Sequence, residues 1–145
     1  MSKNLYLDAK VVRVMTSQAA GTTALASDSV DMQDFDAVQF IPMFGAITAG
    51  AATSVHVAQS SDDSTFVDLE GTSITIADDD DGKAAVIDIE RPTDRYVRCE
   101  IARATENAVV DGVIALVYKC RRQPVDTDAS VVDIEFHASP DEGTA

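Results

Sequence analysis

Apolar and polar positions alternate along most of this chain, and the spacing of an amphipathic helix is hard to find. Alternation at period two is the signature of strands with one buried face. The clearest case is Tyr96-Val97-Arg98-Cys99-Glu100-Ile101, which sets Val97, Cys99 and Ile101 inward and Arg98 and Glu100 outward. Residues 53–59 repeat the pattern, with Val55 and Val57 inward and His56 outward. The run 113–118 is apolar on both faces and predicts a central strand. Residues 10–15 predict a first strand and 36–44 a second. Pro42 has no N–H for a ladder, so it predicts a bulge or an edge. Residues 84–89 alternate as well, and the runs 66–69 and 72–76 flank Glu70-Gly71. Gly, Asp, Ser and Pro mark the connections at 45–52, 60–64, 78–82 and 91–94, and 17–29 reads as a loop or weak edge pairing. About eight strands at this spacing predict an all-β fold, an antiparallel jelly-roll-like sandwich.

At 145 residues, with 46 % apolar, the chain can bury a core without disulfides. The pattern changes after Arg121-Arg122-Gln123-Pro124. Residues 1–124 therefore read as the sandwich and 125–145 as an acidic C-terminal extension. Within the extension only 131–136 alternates, as a strand that could join a sheet edge of its own chain or a neighbour's. Residues 139–145 have the composition of a disordered end. No stretch reaches the ~20 apolar residues of a membrane span. Met1-Ser2-Lys3-Asn4-Leu5 carries no apolar signal core, which predicts no secretion by that route.

The net charge of −14 argues against binding nucleic acid or an anionic membrane. That charge is unevenly spread. Residues 91–122 hold seven of the eleven basic side chains and only four acids, while 123–145 hold six acids and no Lys or Arg. A basic band beside an acidic extension predicts contact between copies of the chain, as a homo-oligomer. The residues predicted to carry partner contacts are Arg121 and Arg122 in the band, and Val131, Val132, Ile134 and Phe136 in the extension.

Candidate chemistry is sparse. A hairpin turning near Glu106-Asn107-Ala108 would set Cys99 opposite Leu116 and leave Cys120 about four residues away, beyond bridging distance, so both cysteines read as reduced core residues. Neither His56 nor His137 has a Cys or His at ligand spacing, which predicts no zinc site. Asp78-Asp79-Asp80-Asp81-Gly82 lacks EF-hand spacing and reads as a solvated turn. No nucleophile elbow or phosphate-binding loop is present, so the sequence predicts no enzyme, no cofactor and no catalytic residue. A sugar-binding sandwich is the alternative, although the chain has no Trp to stack a ring.

Several runs resemble small tailed-phage virion proteins. Val55-His56-Val57-Ala58-Gln59-Ser60-Ser61-Asp62-Asp63-Ser64-Thr65-Phe66-Val67-Asp68 is similar to their "xVQeSdDnstFtdv" segment. Asp94-Arg95-Tyr96-Val97-Arg98-Cys99-Glu100-Ile101 resembles their Arg-Tyr strand, and Arg121-Arg122-Gln123-Pro124-Val125 their basic close. Asp34-Phe35-Asp36-Ala37-Val38 is similar to the start of another strand, with Asp34 where Gly is usual. The likeness spans about residues 10–125 and implies a β-rich virion component encoded near the major capsid protein. It points to a decoration (cement) protein on the capsid exterior, made in the host cytoplasm. Its partners would be the major capsid protein and copies of itself, with no direct nucleic-acid or membrane contact. A neck or tail component is the alternative within the virion.

Overall fold

The computed structural model describes residues 4–145. A short helix, α1 (Leu5–Asp8), capped by the Asn4 side chain on the Tyr6 amide, precedes the strands. In the first sheet β1 (Lys10–Met15) pairs with β11 (Ala108–Cys120), β11 with β5 (Phe35–Ile47), and β5 with β9 (Ile87–Glu90). The strand β2 (Gln18–Gly21) prolongs the β1 edge along the start of β11. In the second sheet β3 (Leu25–Ala26) and β4 (Val30–Asp31) lie along β10 (Tyr96–Ala104), and β10 pairs with β6 (Ala52–Ser60). Beyond β6 lie β7 (Val67–Asp68) and β8 (Ile74–Ile76). Every pairing is antiparallel.

Three of these strands are interrupted: β1 with β2, β3 with β4, and β7 with β8. Counting each pair once leaves eight strands, four to a sheet, in the orders 1-8-3-6 and 2-7-4-5. That is the double Greek key of a jelly roll. The predicted parity holds in the core. Val55, Val57, Val97, Cys99 and Ile101 from one sheet meet Val38, Phe40, Val113, Ala115 and Val117 from the other, all but fully buried. Each larger side chain there gains about 1.5–3 kcal/mol from burial.

The predicted 96–116 hairpin does not form. Thr105 takes φ 71 and the Glu106 amide bonds Ala104 O at 2.8 Å, so the Glu106-Asn107 turn is a corner that carries the chain to the opposite sheet. Alternation reports which face a residue occupies but not which strand it pairs with. Cys99 and Cys120 are nevertheless both free thiols, in different sheets, with Cys99 in the core but Cys120, at the end of β11, only half-buried.

Pro42 lies in a central strand rather than at an edge. Its ladder on the β9 side breaks opposite it, after Phe40 and Ile87. Pro42 O still accepts the Ala85 amide at 3.0 Å, and the Phe44 amide donates to Lys83 O at 2.9 Å as pairing resumes in the same register at Met43 and Ala84. The predicted strand over 84–89 accordingly joins the ladder only from Ile87 onward, apart from one bridge at Ala84.

Two backbone positions are demanding. Asp34, where the family resemblance expects glycine, has φ 71, a region that Asp tolerates better than most residues. Gly112 has φ 140 at a register shift of β11, and a Cβ there would lie 2.9 Å from Met15 O. Only glycine fits without moving β1.

Candidate functional site

The predicted contact residues of the extension gather at one corner. Residues 131–136 form no strand in this chain. Instead the segment folds back over the outer edge of β1, where the Arg13 amide donates to Ser130 Oγ at 2.8 Å and Lys10 Nζ lies 3.8 Å from Asp128. Val131 and Ile134, with Val125 and Pro124, line a small cleft against Tyr6, Ala9 and Val11. The Phe136 ring packs on Tyr6 with centroids 5.9 Å apart. Val132 points away and is fully exposed. Six large apolar side chains stand out as exposed among the described residues, and four of them, Leu5, Tyr6, Val132 and Phe136, come from α1 and this extension.

The basic band is largely neutralised within its own chain. Arg95 grips Asp31 with two parallel bonds of 2.8 Å, Arg121 bonds Asp36 at 2.7 Å, Arg98 bonds Glu100 at 2.7 Å, and both Lys119 and Arg91 pair with Glu90. The Arg95 guanidinium holds the Asp31 carboxyl below its usual range, and Lys119 does the same for Glu90. Of the predicted pair, Arg121 is therefore engaged. Arg122 is exposed and makes no ion pair among the described residues.

Arg103 is not a surface charge at all. It continues the inward parity of Val97, Cys99 and Ile101, and it is only 6 % exposed. Among the described residues no carboxylate meets it. Its Nε donates to Thr23 O at 2.8 Å, and Nη1 donates to Ala19 O at 2.9 Å and Ala108 O at 2.7 Å. The guanidinium thus ties β2 and the following turn to β11. Gly21 leaves room for it, because a Cβ there would approach Nη2 to 3.1 Å.

On the outer face of the second sheet, β6, β7 and β10 bring polar groups together. His56 and Glu100 are directly paired across β6 and β10, and Asp68 arrives from β7 beside Ala58. His56 Nε2 lies 3.1 Å from Asp68 Oδ1 and 3.1 Å from Glu100 Oε1. Arg98 holds the other oxygen of Glu100 and stacks over Phe66, 3.9 Å from the ring centroid. Sequence spacing hides this cluster, since its members come from three separate strands.

Other reactive groups are quiet. Burial pushes the Cys99 thiol up to about 12, and burial with the Asp8 charge raises Cys120. Burial also raises the Tyr118 hydroxyl, with help from its bond to Asp88. Among the described residues both histidines bond only carboxylates, so no hydroxyl or thiol is paired with an imidazole base.

No family model matches this chain, and neither does any curated protein. Solved structures do share its fold. The PBSX exported protein XepA aligns at TM-score 0.54 and 12 % identity, over 94 % of this chain and 46 % of that one. A chain of infectious bursal disease virus, Gx strain, aligns at TM-score 0.50 and 12 % identity, over 81 % of this chain and 34 % of that one. A pilus protein of Bacillus endospore appendages reaches TM-score 0.49 at 12 % identity, over 77 % and 88 %. The chain spans about half the length of XepA and a third of the virus chain. At this identity the likeness is one of fold alone, a β-sandwich.

Proposed function

We propose that this chain is a non-enzymatic structural protein of a tailed-phage virion, a decoration (cement) protein on the outside of the head shell. The observation that carries the reading is the exposed apolar side chains of α1 and the extension, where Phe136 packs on Tyr6 and Val132 stands in solvent, on an otherwise charged jelly roll. Exposed apolar side chains gathered in one place mark a contact surface. The jelly-roll likeness to an exported phage protein and to a virus chain supports a virion setting. The partners are the major capsid protein and further copies of this chain. Arg122 adds a free positive charge for the acidic patches of a lattice. Such a protein needs no catalytic group, because its affinity grows when one copy staples several capsid subunits.

Copy number tests the assignment. Band intensity relative to the major capsid protein in purified particles should give a simple fraction of the lattice. A few per cent or less would place the chain in the neck or tail. Absence would restore the sugar-binding alternative. Replacing Val132 and Phe136 by Ser should release the protein from particles if the corner is the contact surface.

A further inference from the structure

We propose that His56, Asp68 and Glu100 form a site for a divalent transition ion of the zinc class on the outer face of the second sheet. The geometry is the argument. Two carboxylate oxygens, from Asp68 and Glu100, converge on the same ring nitrogen, each 3.1 Å from His56 Nε2. A neutral imidazole nitrogen carries at most one proton, so one N–H must be split between two anionic acceptors. A cation in the notch satisfies all three groups at once. Cis or tetrahedral ligands at bonds of about 2.1 Å stand roughly 3.0–3.4 Å apart, which matches both contacts. All three ligand atoms lie within 4.8 Å of one another.

The surroundings hold the ligands in place. Glu100 and His56 are paired residues of the two longest strands of their sheet, and both side chains are about four-fifths buried. Arg98 takes the second Glu100 oxygen at 2.7 Å and leaves Oε1 aimed at His56. This is the outer-shell support that metal ligands receive. Arg98 also leaves the cluster at −1 with neutral imidazole, so a divalent ion brings it to +1. Asp68 is 70 % exposed, so the remaining coordination positions face solvent and are filled by water. One imidazole and two carboxylates suit a borderline ion such as Zn²⁺ rather than Ca²⁺, which takes six or more oxygens. The bound ion would pin β7, a strand of two residues, to β6 and β10.

The test is Zn²⁺ titration of the full chain after chelator treatment, by calorimetry and by thermal melting. The expected result is one ion per chain and a rise in Tm of about 5–10 °C at a hundredfold excess over Kd. His56→Ala and Asp68→Asn should each weaken the site about tenfold or more, and His137→Ala should leave it unchanged. Asp68 is exposed on a short strand, so Asp68→Asn keeps the test meaningful if His56→Ala fails to fold. Co²⁺ should give a visible d–d band that is lost with His56. Equal Zn²⁺ affinity in the parent and in both site variants would overturn the proposal. So would the absence of any Tm rise in the parent at millimolar Zn²⁺.

Discussion

Replacing Arg103 tests how a jelly roll tolerates a buried charge without a counter-ion. Arg103→Met keeps most of the stem volume and removes every donor. Three carbonyls then lose a partner: Ala19, Thr23 and Ala108. Ala19, on the short edge strand β2, and Thr23, in the turn after it, are both exposed and their carbonyls can turn to water, at a cost of roughly 0.5–1 kcal/mol each. Ala108 is fully buried, and its carbonyl cannot be rehydrated there, which costs about 1–3 kcal/mol. Relief of the guanidinium desolvation, worth several kcal/mol for an ion, offsets part of this total. The expected net loss is about 2 kcal/mol, or roughly 4–8 °C in Tm for a chain of this size. Arg103→Ala adds a cavity and should cost about 4 kcal/mol. Denaturant unfolding gives the free energy, and hydrogen exchange locates it. Amides in 18–24 should lose protection first, because the side chain is their tie to β11. A variant Arg103→Met as stable as the parent would refute the reasoning, since desolvation would then outweigh the anchoring bonds.

Backbone substitutions should act in opposite directions: Gly112→Ala should cost about 2 kcal/mol or more by strain and contact with Met15 O, whereas Asp34→Gly should stabilise by about 0.5–1 kcal/mol. Equal Tm values for the two variants would contradict both assignments. Acid should destabilise the fold, because Asp31, held by Arg95, and Asp128, held by Ser130, have depressed values in the native chain. The unfolded chain then binds more protons, so this stability is complete above about pH 4 and is lost as pH falls further. Asp31→Asn should shallow that slope, and a Tm independent of pH below 4 would refute the account. Removing 126–145 should cost about 1–2 kcal/mol from the half-buried Val131 and Ile134, leaving a folded sandwich. A fall in Tm beyond about 10 °C would show that the extension is part of the core.

Much of the sandwich was legible from residue types. The parity of Val97, Cys99 and Ile101 is repeated in the structure, and the run 113–118 is the central strand it predicts, but only its Val113-Ala115-Val117 face is buried while Ile114, Leu116 and Tyr118 on the other face are half-exposed. Pairing was not legible. Asn107 marks a turn, but a tight hairpin and a corner between sheets use the same turn residues. The weak edge pairing expected within 17–29 forms as β2 and β3, but its partners were not legible, since these strands are held by β11 and β10 rather than by their own small side chains. Arg103 could have been found, since its parity with Ile101 sends it inward, and counting charge along the chain concealed that. The basic band failed for a related reason. Its charges are matched by Asp31 and Asp36, which the sequence places far away, and by Glu90, just outside the counted band. Alternation also marks 131–136 as contact residues; in the structure Val131 and Ile134 pack on the chain's own corner, Phe136 lies against Tyr6, and Val132 is fully exposed.

The fold-back of the extension over β1 has a consequence for how copies of this protein meet. A sheet margin with free amides recruits strands from other molecules, and open-ended growth follows where nothing blocks it. Here the extension shields that margin through a side-chain hydroxyl, Ser130, and not through a ladder of its own. The shield therefore comes away by local opening, far below the free energy of global unfolding. Exposing that margin costs the molecule only the contacts of the extension and leaves the core of both sheets in place.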